Sequence, residues 1–124
     1  MPPSEAQLAA EHERDTKPAP GEDPVVTAAV RAEYERWRAG KVDFTRYDAT
    51  MRAALNDALV QQVTTGLAAL GAPTAFVYTG KTALPNNAGT SYSYRVVAPG
   101  GAVSLVYSLD TTGTINGILF KPAE

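Results

Sequence analysis

The sequence contains no cysteine and a single histidine, His12. The lack of cysteine excludes disulfides, thiolate nucleophiles, zinc–thiolate sites and iron–sulfur clusters, although it does not identify the cellular compartment. Because His12 lies in the N-terminal segment, the serines of the C-terminal part have no histidine to activate them, which excludes a serine-hydrolase triad. Metal-ligand spacings are also missing. We therefore expect no catalytic residue, no metal site and no cofactor.

Long apolar runs and a strong charge of one sign are missing as well. The uninterrupted apolar runs are only a few residues long, so we expect no membrane-spanning helix. The N-terminus does not show the basic and apolar pattern of a signal peptide. The formal net charge is −2, and no basic residues cluster as a nucleic-acid surface requires. We therefore expect neither nucleic-acid binding nor a membrane span.

The 124 residues, 44% of them hydrophobic, fit one globular domain preceded by a charged segment. Residues 1–24 carry a net charge of −4, five prolines and, apart from Met1, one large aliphatic side chain, Leu8. Such a segment cannot bury enough apolar area to offset the entropy of ordering it. We predict a flexible acidic tail or linker over 1–24 and a domain over 25–124.

Helical periodicity dominates the first half of that domain. Asp23 and Pro24 are typical of a helix start and Gly40 of a helix end, which predicts a helix over 24–39. One helical turn is expected between the two N-cap candidates Asp43 and Asp48. A second, long amphipathic helix is expected over 51–70, ended by Gly71.

From residue 74 onward the apolar residues alternate, which is typical of strands. The pattern predicts four strands, over 74–81, 90–98, 102–110 and 114–121. The last three are joined by short Gly-containing turns and should form an antiparallel meander. The fold class is therefore α+β, with N-terminal helices packed on a curved four-stranded antiparallel sheet.

The alternation also assigns the two faces of the sheet. The bulky side chains that share one face of the second and third strands should meet the long helix; they are Tyr92, Tyr94, Val96, Val103, Leu105, Tyr107 and Leu109. The opposite face carries small and mixed residues, among them Arg95, Ser104 and Val106. That face is either solvated or an interface with a second subunit, and a solvated arginine is the simpler interpretation of Arg95.

Four short motifs resemble one known superfamily. They are Trp37 with Gly40-Lys41-Val42-Asp43, the 51–70 helix ending in Leu70-Gly71, Tyr92-Ser93-Tyr94-Arg95-Val96, and Asp110-Thr111-Thr112-Gly113-Thr114-Ile115-Asn116-Gly117. Over about residues 25–121 this order resembles small bacterial domains of the nuclear transport factor two-like (cystatin-like) superfamily. The resemblance implies a curved sheet wrapped around the long helix, a cone-shaped pocket and dimerisation through the sheet. It also favours a periplasmic or secreted location over a cytoplasmic one.

Six aromatic residues are candidates to line such a pocket: Trp37, Tyr47, Tyr78, Tyr92, Tyr94 and Tyr107. The alternative is that they pack the core and leave their hydroxyls at its rim, and Trp37 in particular fits a core anchor. Enzymes of the superfamily place an Asp, His or Tyr constellation in the cone. None of their general bases can be carried over to this sequence.

The first hypothesis for function is therefore a non-catalytic ligand-binding or protein-interaction domain, an accessory module, that takes a small apolar ligand, a partner protein or a second copy of itself. The alternative is a small isomerase- or dehydratase-type enzyme that uses Asp43 and tyrosines in a desolvated pocket. Capping of the predicted turn is the simpler role for Asp43. A structural module of a larger assembly is a third interpretation.

Overall fold

The structure, a computed structural model, describes residues 17–122. Three α-helices precede a four-stranded sheet: α1 (Pro24–Ala39), α2 (Ala49–Ala54) and α3 (Asp57–Leu70), then β1 (Ala75–Ala83), β2 (Thr90–Ala98), β3 (Gly101–Leu109) and β4 (Ile115–Pro122). Two 3₁₀ turns, Phe44–Arg46 and Pro85–Asn87, lie in the connections. The predicted α+β fold class is confirmed, and each predicted strand end lies within two residues of the observed one.

Local sequence signals determine both ends of α1. The Asp23 side chain accepts a hydrogen bond from the Val25 amide, and Pro24 takes the first helical position. Gly40 adopts a left-handed conformation, φ 72°, and its amide donates to the Trp37 carbonyl. The predicted bounds of this helix are therefore confirmed.

The single helix predicted over 51–70 is wrong, because the chain breaks into α2 and α3 at Leu55 and Asn56. Asn56 is extended, φ −144° and ψ 166°, and its side chain accepts a 2.8 Å hydrogen bond from the Leu59 amide. An asparagine at this point favours an N-cap over continuation of the helix, since its side chain replaces a backbone acceptor. The apolar spacing that runs across the break does not reveal it.

The helix in the hollow of the sheet also differs from the expectation. The long helix over 51–70 was expected there, but α1 occupies it. Helix α1 buries six residues, including Tyr34 and Trp37, whereas α3 buries Val60 and Leu67. The Tyr34 ring packs edge-on against Phe76 with ring centroids 5.8 Å apart. Helix α3 packs chiefly against α1. The core therefore forms between α1 and the sheet, and α3 lies to one side.

The four strands pair in sequence order as an antiparallel meander, and the sheet is curled but not closed. A bulge between Tyr78 and Gly80 shifts the register of β1 against β2. The predicted inner face is confirmed at five positions, which are buried: Tyr94, Val96, Val103, Leu105 and Tyr107. Tyr92 and Leu109 are half-buried at the rim.

The segment before α1 is described only from residue 17, so the flexible tail predicted over 1–24 lies mostly outside the described residues. Within the described part, the Ala19 amide donates a 2.8 Å hydrogen bond to the Tyr78 carbonyl, and Ala19 packs against the core. Ala19 therefore lies against the edge of β1. Among residues 17–122, no helix is long and apolar enough to cross a membrane.

Candidate functional site

The structure places five of the six pocket candidates inside the core. Trp37, Tyr47, Tyr78, Tyr94 and Tyr107 are each no more than 3% exposed. The Tyr94 hydroxyl lies 2.9 Å from Thr27 Oγ1, and the Tyr78 and Tyr94 rings pack 5.7 Å apart. These five side chains therefore pack the core, as in the alternative to a pocket given under the sequence analysis. Tyr92 alone is half-buried, and it lines a depression of about 400 Å³ with loop residues Asn87, Asp110 and Thr111.

A buried carboxylate that the sequence analysis missed lies among these aromatics. Glu33 on α1 is 0% exposed, and its Oε1 accepts a 2.6 Å hydrogen bond from the Tyr47 hydroxyl. Trp37 Nε1 donates to the same hydroxyl oxygen at 2.7 Å. On the other carboxylate oxygen, Arg36 Nη1 lies at 2.9 Å and Arg46 Nε at 3.5 Å. The sequence did contain a signal for the burial of Glu33. The spacing of Val26, Val30, Glu33 and Trp37 puts Glu33 on the apolar stripe of the helix.

The hydrogen bonds and ion pairs around Glu33 hold α1 and the 44–47 connection together. They leave little capacity for proton transfer. Burial, followed by the hydrogen bond to Glu33, raises the pKa of Tyr47 far above its ordinary value. Tyr47 therefore stays protonated and remains a donor. The Glu33 carboxylate already accepts hydrogen bonds from Tyr47 and Arg36 and forms an ion pair with Arg46, so its role is to hold α1 against the 44–47 connection.

Asp43 does not have the placement that the enzyme hypothesis requires. It is exposed at the start of the 3₁₀ turn, where its Oδ1 accepts hydrogen bonds from the Thr45 hydroxyl at 2.6 Å and the Thr45 amide at 3.0 Å. The bond from the Thr45 hydroxyl is the main reason that its pKa lies below the ordinary value. A general base at neutral pH needs the opposite shift. Asp43 is a capping residue.

An open groove lies between α3 and the paired strands β3 and β4. Its volume is about 530 Å³. The residues that line it are mostly apolar: Leu59, Gln62, Val63, Gly66, Leu67, Leu70, Ala102, Val103, Phe120, Lys121 and Pro122. Leu59 is 38% exposed. The groove exists because α3 packs on α1 and leaves a gap to the strands.

One wall of the groove contains a glycine inside a helix. Gly66 lies in the interior of α3 without a positive φ, and a Cβ added there would meet no atom within 4 Å. Neither backbone conformation nor close packing therefore requires glycine. By contrast, Gly100 is required sterically, because a Cβ there would lie 2.8 Å from the Cα of Leu70. Because Gly66 has no side chain, it leaves this part of the groove open.

The three interface candidates lie together on the outer face of the sheet. Arg95 pairs with Ser104 in the register of β2 and β3, and Val106 pairs with Leu119 in that of β3 and β4. Leu119 is 48% exposed. An interface on this face, with a second copy or another protein, stays a prediction. Within the described part of the chain, no group of three His, Cys, Asp or Glu residues is placed to hold a metal ion.

No protein-family model, curated protein or solved structure matches the chain. The resemblance to the nuclear transport factor two-like superfamily therefore rests on the residues quoted above and stays a prediction.

Proposed function

We propose that this protein is a non-catalytic binding domain that takes up a small apolar ligand in the groove between α3 and strands β3 and β4. Apolar side chains form most of the groove wall, among them Val63, Leu67 and Phe120. The volume of about 530 Å³ falls within the usual range of small-molecule sites. Membership in the nuclear transport factor two-like superfamily is proposed with it, supported by the order of the helices and the meander.

The hydrophobic effect supplies the affinity. Each apolar Å² that leaves water on binding contributes roughly 25 cal/mol before the losses of translational and rotational freedom. The groove exposes Leu59 and half-exposes Val63, Leu70 and Phe120 above the buried Leu67 and Val103. An apolar ligand would cover this surface without leaving a buried polar group unpaired.

Gly66 is the observation that carries the proposal. A glycine in a helix interior costs roughly 0.5–1 kcal/mol relative to alanine. No contact explains that cost at Gly66, because the space beside its Cα is empty. A groove kept open for a ligand accounts for it.

The groove also lacks the side chains of an enzyme site. Among its described lining residues, Gln62 and Lys121 are the only ones with polar side chains. No hydroxyl, carboxylate or imidazole is available there as a nucleophile or an acid–base pair. Binding is the chemistry that these residues support.

A neutral fluorescent probe tests the proposal. Phenylnaphthylamine should gain fluorescence and saturate when titrated with the protein. The variant Gly66→Leu should bind it at least about tenfold more weakly, a loss of about 1.4 kcal/mol, because the added side chain fills the groove. Gly66→Ala should weaken binding less than Gly66→Leu does, and the matched control Gln61→Leu, which places the same side chain on the exposed part of α3 outside the groove lining, should retain the binding. The proposal fails if the wild type does not bind the probe, or if Gly66→Leu binds it as tightly as the wild type does.

A further inference from the structure

We infer that a second site, the depression beside Tyr92 at one end of the sheet, binds a neutral saccharide. Its volume of about 400 Å³ falls within the usual range of small-molecule sites. The depression lies where the loop 84–89 meets the turn 110–113, and Asn87, Asp110 and Thr111 line it together with Tyr92. The described residues that line it are all different from those that line the groove, so the inference goes beyond the proposed function.

Tyr92 supplies an aromatic surface at this site. It is the one pocket candidate that the core does not enclose, since it is half-buried and packs only partly against the core. Among the described residues, Tyr92 packs on no other aromatic ring, and its hydroxyl forms no hydrogen bond. The face of an aromatic ring carries partial negative charge, which attracts the C–H groups on one face of a sugar ring. Tyr92 therefore offers the surface on which a sugar ring can stack.

The side chains around Tyr92 have hydrogen-bonding capacity that the fold does not use. Asp110 Oδ1 accepts hydrogen bonds from the Thr112 hydroxyl at 2.7 Å and from the Thr112 amide at 2.9 Å. Asp110 Oδ2 accepts none from the described residues, and the side chains of Asn87 and Thr111 form none with that part of the chain. A carboxylate, an amide and a hydroxyl that surround one aromatic ring can bind several hydroxyl groups of a single ligand.

The charges at the site favour a neutral ligand over an ion. Asp110 is the only charged residue among the described residues that line the depression. The hydrogen bond from the Thr112 hydroxyl is the main reason that the pKa of Asp110 lies below its ordinary value, so Asp110 is an anion at neutral pH and repels an anionic ligand. A cationic ligand would meet Lys81, which is exposed on β1 and pairs in register with Tyr92. A neutral ligand with many hydroxyl groups avoids both repulsions.

The loop that carries Asn87 is held in place before any ligand binds. Asn116 Nδ2 donates a 2.9 Å hydrogen bond to the Ala88 carbonyl, which ties the loop to β4. Asn86 and Asn87 both have left-handed backbone conformations, φ 60° and 57°, which are uncommon for residues other than glycine. Residues in such conformations cluster at ligand sites. A preformed loop also loses less entropy on binding, which favours recognition of a weakly held ligand.

The experiment titrates the isotopically labelled full chain with maltose, lactose and chitobiose at neutral pH and follows the backbone amide shifts. We expect at least one disaccharide to bind saturably, with the largest shifts at Asn87, Tyr92 and Thr111. Tyr92→Leu keeps an apolar side chain against the core but removes the ring, and it should weaken binding at least about tenfold. Asn87→Gly removes the amide and suits the left-handed φ, and it should weaken binding by about two- to tenfold. The matched control Asn86→Gly, at the neighbouring left-handed residue outside the lining, should retain the wild-type affinity.

The outcomes separate this inference from the proposed function. The absence of saturable shifts with all three disaccharides would overturn the inference, and so would wild-type affinity in Tyr92→Leu. Equal weakening in Asn86→Gly and Asn87→Gly would overturn the role of the Asn87 amide. Phenylnaphthylamine bound in the groove should stay bound when the disaccharide is added, and its displacement would overturn the assignment to a second site. Failure of the disaccharides to bind leaves the apolar groove unaffected.

Discussion

The Tyr47 hydroxyl donates a 2.6 Å hydrogen bond to Glu33 Oε1, which joins α1 to the connection that leads into α2. The same hydroxyl accepts a hydrogen bond from Trp37 Nε1. Next to this contact, the Asp48 amide donates to the Ile115 carbonyl, which ties the connection to β4. Tyr47 is thus the point at which the first helix, the connection and the last strand meet.

Removing the Tyr47 hydroxyl should destabilise the fold strongly. Tyr47→Phe leaves the Trp37 indole N–H and one oxygen of the buried Glu33 without their partner, and we expect a loss of about 2–4 kcal/mol in the free energy of unfolding. Urea denaturation followed by circular dichroism measures it. The control Tyr92→Phe, at a half-buried rim position, should cost less than about 1 kcal/mol. Equal small losses for the two variants would show that the cluster contributes little.

High pH should unfold the protein before its buried tyrosines ionise. Desolvation is the first cause that raises the pKa of Tyr34, Tyr47, Tyr94 and Tyr107. In the unfolded chain a tyrosine ionises near pH 10, so above that pH the folded state holds more protons and stability falls as pH rises. Each such group contributes a slope of up to about 1.4 kcal/mol per pH unit.

A pH titration that follows tyrosinate absorbance and circular dichroism together checks this. We expect stability to be flat from about pH 6 to about pH 9, followed by one cooperative transition in which both signals change together. Ionisation of all the tyrosines near pH 10 with the fold intact would contradict the account.

The break between α2 and α3 should depend on Asn56. Asn56→Ala removes the side-chain acceptor for the Leu59 amide, and we expect a loss of about 1 kcal/mol. Gln61→Ala, on the exposed face of the same helix, should change stability by no more than about 0.5 kcal/mol. Thermal unfolding of the two variants measures the difference. An unchanged stability in Asn56→Ala would argue that the break does not need its cap.

Two glycine-to-alanine variants should have effects of opposite sign. Gly66→Ala should stabilise the protein by roughly 0.5–1 kcal/mol, because its φ suits alanine and the space is empty. Gly40→Ala should destabilise it by at least about 1 kcal/mol, because Gly40 holds φ 72°. Chemical denaturation of both variants measures the two changes in the free energy of unfolding. A destabilising Gly66→Ala would show that the helix needs glycine there for packing, against the interpretation of the groove.

Signals between near neighbours in the sequence were sufficient for much of the fold. Asp23, Pro24 and Gly40 determine α1 through capping and φ preferences, and the alternation in β2 and β3 identifies the buried face. These rules act within a few residues. They do not depend on what the element packs against, which is why the bounds of α1 and the inner face were predicted correctly.

One local feature, the helix break at Asn56, and two longer-range features, the buried Glu33 and the groove, were missed. The apolar residues Met51, Leu55 and Leu59 are spaced as in one continuous helix. The helix breaks because the Asn56 side chain caps α3, and the apolar spacing carries no information about that cap. The burial of Glu33 was missed, because its partners Tyr47 and Arg46 are more than ten residues away in the sequence. The groove depends on which face of α1 receives α3, and local patterns do not specify that.

The most direct test of the proposed groove is a map of backbone amide chemical shifts while an apolar probe is added to the isotopically labelled protein. The account predicts that the largest shifts cluster at Val63, Leu67, Val103 and Phe120, with small shifts on the outer face at Val77 and Arg95, and that Gly66→Leu removes the clustered shifts. Shifts concentrated on the outer face, or at the core tyrosines Tyr78 and Tyr107, would contradict it.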